Sequence, residues 1–184
     1  MVEFIGAAIA ILVIVVLAYN WLTLLQDGIR VRFLQRYEFP RELLKELRKE
    51  YPKLRAKDFD LVAQALRQYF LAYKGCGYRL VAMPSRIVGD LWRLFSAEAA
   101  RYGLFCQKAF GRYFPCTPAL DRIEKDSEGE ERLKRTWRWC CLLEGIYRNS
   151  PTRLPLLFAI DKKMKVNGSI SFQLEKNISI KTSA

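Results

Sequence analysis

The chain has 184 residues, 51% hydrophobic and 13% aromatic, enough for one buried core, which excludes wholesale disorder. A formal charge of +12 points to an anionic neighbour, either a lipid surface or a nucleic acid. There is no histidine, which excludes Ser-His and Cys-His nucleophile pairs, histidine general bases and the commonest metal ligand.

Phe4 to Leu25 is an uncharged run, FIGAAIAILVIVVLAYNWLTLL, long enough to cross a hydrocarbon core of about 30 Å. Phe4, Ile14, Trp21 and Leu25 mark its length, and Tyr19 and Trp21 fall where amphipathic aromatics settle among headgroups. A cleaved signal peptide is the rival reading, but a basic leading segment is missing and the run exceeds the usual apolar length. A buried core helix is the other rival; hydrophobicity on every face argues instead for lipid. Only Glu3 is charged upstream, whereas Arg30, Arg32 and Arg36 follow downstream. The bias of positive charge toward the cytoplasm therefore predicts an N-terminus outside and a cytoplasmic C-terminal domain.

The sequence divides into an anchor (1–26), a basic juxtamembrane helix (27–57), a helical domain (58–168) and an extended tail or hairpin (169–184). Pro40 opens RELLKELRKEY, whose Leu43, Leu44 and Leu47 form one apolar stripe, and Pro52 ends it. The basic surplus from Arg30 to Lys57 favours anionic lipid, although interleaved acids fit a solvated helix face equally well.

Asp58 is placed as the N-cap of a helix running to Lys74, with Leu61, Val62, Ala65, Leu66, Tyr69 and Phe70 at core-facing spacing. Gly75-Cys76-Gly77 stops it. Met83 to Ala119 is the most aromatic stretch and the expected centre of the fold. Pro84-Ser85 starts a helix with Ile87, Val88, Leu91, Trp92 and Phe95 inward, and Tyr102, Phe105, Cys106, Ala109 and Phe110 continue the spacing to Gly111. Leu120 to Glu131 reads as an exposed connection. A further helix then reaches Tyr147, and Leu154 to Val166 closes the domain. The tail alternates apolar and polar at Ile170, Phe172, Leu174, Ile178 and Ile180, which favours a small hairpin or an extended tail.

Cys76, Cys106, Cys116, Cys140 and Cys141 are an odd set without CxxC spacing, fitting free, mostly buried thiols in a reducing compartment.

MPSRIVGDLW from Met83, the YxxFC spacing from Tyr102 to Cys106, Phe110-Gly111-Arg112 and Thr117-Pro118-Ala119 carry a resemblance. So do LRQYF from Leu66, TWRWCCLLEGI from Thr136 and LPLLFAIDKKMKV from Leu154. Over roughly residues 60–168 the chain resembles bacterial members of the glycine-rich domain-containing protein-like family. The resemblance implies a helical domain whose relatives hold histidines, as candidate metal ligands, where this chain has Arg93, Glu98 and Pro115-Cys116. It further implies that Arg93, Glu98, Cys106 and Cys116 are the remnant of a metal site. No metal or cofactor is then retained, and an Arg93–Glu98 ion pair with apolar packing takes its place.

The sequence thus reads as mainly α: one transmembrane helix, then a compact multi-helix domain with a possible C-terminal hairpin. Its expected role is a non-enzymatic binding or scaffold module at the bilayer, with anionic headgroups or a protein as partner. A protein-binding surface requires exposed aromatics among Trp92, Tyr113, Phe114 and Trp139. The alternative is an enzyme or metal protein using Glu98 and Cys116, with Glu98 and Asp90 as a carboxylate pair and the thiol activated by Arg93. Nucleic-acid binding is disfavoured, because no recognition signature accompanies the basic residues Arg79, Arg86, Arg93, Arg101, Lys108 and Arg112.

Overall fold

The structure is a computed structural model describing residues 2–116, 127–167 and 172, with side chains from residue 11 onward except Ser127. Among the described residues there are seven helices and no strand: α1 (Val2–Arg36), α2 (Arg41–Glu50), α3 (Ala56–Gly75), α4 (Arg86–Ala97), α5 (Ala99–Phe110), α6 (Ser127–Leu143) and α7 (Leu156–Met164). The architecture is mainly α, as the apolar spacings predict. The expected hairpin over 169–184 and the Thr117–Ala119 motif lie outside the described residues, apart from a buried Phe172 against Phe158.

The centre is α3 rather than the aromatic stretch after it. α3 packs on α1, α4, α6 and α7, and so its buried positions extend well round the helix, from Phe59 and Val62 to Ala72 and Tyr73. Phe70 on α3 meets Trp92, Phe105, Phe110 and Phe114, and Tyr73 stacks on Phe114 at 3.7 Å. Trp92 donates from Nε1 to the Tyr102 hydroxyl (2.9 Å), which donates to the Phe114 carbonyl (2.6 Å). This chain of bonds satisfies the polar atoms of a fully buried Trp-Tyr pair, as aromatic cores require.

Helix ends follow local chemistry. Asp58 is not the N-cap of α3. Arg55 holds that position and Asp58 stands at the third helical residue, its carboxylate accepting from the Arg55 N–H at 2.9 Å. α6 starts at Ser127, inside the stretch read as a connection, because Glu128 and Glu130 sit favourably at a helix N-terminus and pair with Arg132 and Lys134 one turn on. It ends before Tyr147 because Gly145 turns left-handed (φ 64°). The Ile146 N–H then bonds to the Cys141 carbonyl and the Gly145 N–H to the Leu142 carbonyl, a Schellman closure. α7 is shorter than Leu154–Val166 for related reasons: Pro155 caps its start and Lys165 takes φ 53° at its end.

α1 is one unbroken helix. From Ile11 to Ile29 its side chains are exposed, and by length and composition it can cross a membrane. Its last turns dock onto α3 and α5: Leu34 is fully buried, Phe33 and Tyr37 meet Phe105, and Arg67 donates to the Tyr37 carbonyl at 2.9 Å. Near the exit from the domain, Asp27 pairs with Lys74 at 3.0 Å. The Arg30 guanidinium lies on Gly111, where a β-carbon would come within 2.5 Å of it and φ is 70°. The left-handed φ is what favours glycine there, since the end of the Arg30 side chain could move aside.

Candidate functional site

A groove is formed where α4 meets the ends of α2 and α7. Its position is set by one carboxylate. Asp161 of α7 accepts from the Ser85 hydroxyl (2.6 Å) and from the backbone N–H groups of Arg86 (2.7 Å) and Ile87 (3.4 Å). These amides are orphan donors at the start of α4, and a negative charge there complements the helix dipole. Ser85 also caps α4 by accepting from the Val88 N–H. Burial pushes the Asp161 carboxyl upward from its ordinary value, and the three hydrogen bonds oppose that shift.

With α7 tied down, Met164 to Asn167 lie beside Arg86. Arg86, Asp90 and Arg93 fall at spacings of four and three along one face of α4. Opposite them, Tyr51 to Leu54 leave the end of α2, and together these segments line a groove of about 880 Å³. Tyr51 donates to Asp90 Oδ2 at 2.5 Å. Burial, then this bond, raise the tyrosine's pKa, so Tyr51 is a donor and not a base. Arg93 pairs with Glu50 at 2.9 Å and reaches Asp90 at 3.7 Å. Lys53, Arg86 and Lys165 also line the groove and make no ion pair with a described carboxylate. Among the described residues the lining contains no serine, threonine or cysteine. Its chemistry is that of a cationic cleft with a fixed tyrosine, suited to holding an anion.

Of the residues singled out from sequence, Arg86, Asp90 and Arg93 lie in this groove. Glu98 sits at the α4–α5 junction and pairs with Arg101 at 2.9 Å, so the expected Arg93–Glu98 pair is replaced by Arg93–Glu50. The reason is spacing: Glu98 and Arg101 lie three residues apart, whereas the α4–α5 break separates Glu98 from Arg93. Cys106 is buried, and burial raises its pKa. Cys116 is half-buried beside Ser96; burial raises its pKa too, opposed by Ser96 and then Arg93. Among the described residues no group of three or more acidic or thiol side chains is placed to hold a metal ion.

Trp92 and Phe114 are buried core residues; of the four aromatics proposed as a partner surface, Tyr113 alone is exposed, with Trp139 half-buried over Gly75. Arg32 and Arg36 are exposed on α1, whereas Arg30 is partly covered by the domain. Sequence reasoning missed Tyr51 and Asp161, and it paired Asp90 with Glu98, whereas Asp90 meets Tyr51 and Arg93 and Glu98 meets Arg101. The partners of Tyr51 and Asp161 lie 39 and 74 to 76 residues away, and no local pattern reports such pairings.

The profile of the UCP032817-like family matches residues 29–183. That overturns the resemblance to the glycine-rich domain-containing family, and with it the argument that missing histidines mark a degenerate metal site. The match takes in the docked end of α1, α2 and the tail, all of which the resemblance left out. No curated protein and no solved structure matches the chain. The chain belongs to the UCP032817-like family.

Proposed function

We propose that this is a single-pass membrane protein whose helical domain faces the cytoplasm and acts as a non-enzymatic binding or scaffold module. The observation that carries the reading is α1: its apolar surface from Ile11 to Leu25 is covered by none of the described residues of the domain, yet the same helix is welded to the core at Leu34. An uncovered apolar surface of that length is costly in water and favourable in a bilayer. The orientation rests on Arg30, Arg32 and Arg36 following the span. Binding, rather than catalysis, is favoured by thiols whose pKa values are raised by burial and by a groove lined with cations. An acidic segment of a protein partner is the occupant that fits Lys53, Arg86 and Lys165.

The test is topology in cells. Membranes from cells expressing the full chain are extracted with alkaline carbonate, and intact cells are treated with protease. Retention in the membrane, with the domain protected until the membrane is opened, is the expected result. Release by carbonate would remove the anchor; digestion of the domain from outside would reverse the orientation.

A further inference from the structure

We infer that the end of the domain built from the C-termini of α3 and α5 lies in the headgroup layer and binds anionic phospholipid through Arg79, Lys108 and Arg112. The inference rests on α1 spanning the bilayer. It moves the lipid contact from the juxtamembrane arginines of α1 to a face of the folded domain.

Depth follows from helix geometry. The uncharged run ends at Leu25, and from there to Arg30 an α-helix rises about 7.5 Å. The polar layer on each side of a hydrocarbon core is about 5–7 Å thick. Groups level with Asp27, about 3 Å beyond Leu25, therefore sit among headgroups, and those level with Arg30 at the outer edge of that layer. Lys74, in the last turn of α3, is at the first level through its ion pair with Asp27, and Gly111, ending α5, is at the second through its contact with Arg30. α1 continues without a break to Leu34 in the core, and so the domain cannot swing away without bending the helix.

Charge follows from what surrounds these two ends. Lys74 is engaged by Asp27, and Arg30 lies against the negative end of α5. Arg112 adjoins Gly111 and lies over the Tyr78 ring at 4.6 Å; Arg79 follows Tyr78, and Lys108 is one turn back on α5. Arg79, Lys108 and Arg112 are all exposed, and none makes an ion pair with a described carboxylate. Tyr78 is held at φ 62° directly after Gly77 at φ 66°, a conformation a tyrosine adopts only when its surroundings impose it. Its contacts with Tyr73, Phe110 and Arg112 do so, and they fix where Arg79 emerges. Exposed Tyr113 beside Arg112 is the residue type that settles at this depth.

The experiment uses the full chain in nanodiscs of phosphatidylcholine alone or of an equal mixture with phosphatidylglycerol. Hydrogen exchange is followed at the amides of residues 77–80 and 111–113. Each basic group near an anionic surface contributes about fivefold to association. The expected result is at least tenfold slower exchange in the anionic discs, reversed by salt and lost in the Arg79→Gln/Lys108→Gln/Arg112→Gln variant. An Arg79→Gln/Lys108→Gln variant keeps the Arg112–Tyr78 stack and is expected to lose most of the effect, whereas Arg41→Gln/Lys45→Gln on α2 keeps it. Equal exchange in both kinds of disc, or protection unchanged in the triple variant, overturns the inference while leaving the span intact. A chain that stays outside the discs overturns the spanning reading and this one together. If the triple variant loses binding to single-stranded RNA while phosphatidylglycerol changes nothing, the face is a nucleic-acid surface and the lipid assignment is wrong.

Discussion

Asp161 joins the last helix to the first turn of α4, and Asp161→Ala is the most informative perturbation of the fold. The carboxylate is 3% exposed and Ser85 is fully buried, so water does not readily replace it. Truncation strands a hydroxyl and two helix-start amides, each costing about 1–3 kcal/mol when buried and unpaired. Partial hydration lowers that sum, and the expected loss is about 3 kcal/mol, a large share of the roughly 5–15 kcal/mol typical of a domain. Ser85→Ala removes the cap and one bond to Asp161, for about 1–2 kcal/mol. Because the two share a 2.6 Å hydrogen bond, the double variant should fall short of additivity by about 1 kcal/mol. Urea unfolding of the detergent-solubilised full chain, followed by tryptophan fluorescence, measures all three.

Burial raises the Asp161 pKa above its ordinary 3.8, which means the folded chain binds this proton more tightly than the unfolded one. Its contribution is present below the unfolded value and lost as pH rises through the folded value. Asp58 has the opposite sign: its hydrogen bonds with Arg55 lower its pKa, and its contribution is lost as pH falls. Asp161→Asn should therefore abolish a decline of stability with rising pH just above 3.8, leaving the Asp58 slope. Additive losses for Asp161→Ala and Ser85→Ala, a cost below 1 kcal/mol, or an unchanged pH profile in Asp161→Asn would refute the reasoning.

Tyr102→Phe leaves the Trp92 Nε1–H and the Phe114 carbonyl without their shared partner; a loss of about 2–3 kcal/mol is expected in the same urea assay. Gly75→Ala places a β-carbon 2.6 Å from the Trp139 ring and should cost about 1–3 kcal/mol. Gly103→Ala on α5 meets nothing within 4 Å and should raise stability by about 0.4–1 kcal/mol. Thiol labelling of the native chain at neutral pH should modify the half-buried Cys76 and Cys116, slowly. Cys106, Cys140 and Cys141, the last with its pKa pushed up to about 11, should react only on unfolding; native-state labelling of those three, read by mass spectrometry, would contradict their burial.

The sequence by itself determined the parts governed by neighbours along the chain. An uncharged run made the N-terminal helix legible. Because helix periodicity is a local property, apolar residues at three- and four-residue spacing located α2, α3 and the inward faces of α4 and α5, though not the break between those two at Glu98. Pro84-Ser85 and Gly111 marked ends correctly for the same reason. Helix limits failed where a nearby cap outweighed a weaker signal, as with Asp58 behind Arg55, or where acids paired one turn ahead, as in α6. Only the tertiary structure decided which element is central, since Phe70 and Tyr73 of α3 gather rings from α4, α5 and the segment after it. It also separated Arg93 from Glu98 and brought Arg93 to Glu50, Tyr51 to Asp90 and Asp161 to Ser85. Those contacts depend on how helices cross, which a list of residues does not encode one position at a time. The site residues were legible only as types, a surplus of cations without histidine. Their convergence on one groove, and on the domain end nearest the exposed apolar helix, was set by packing around α3.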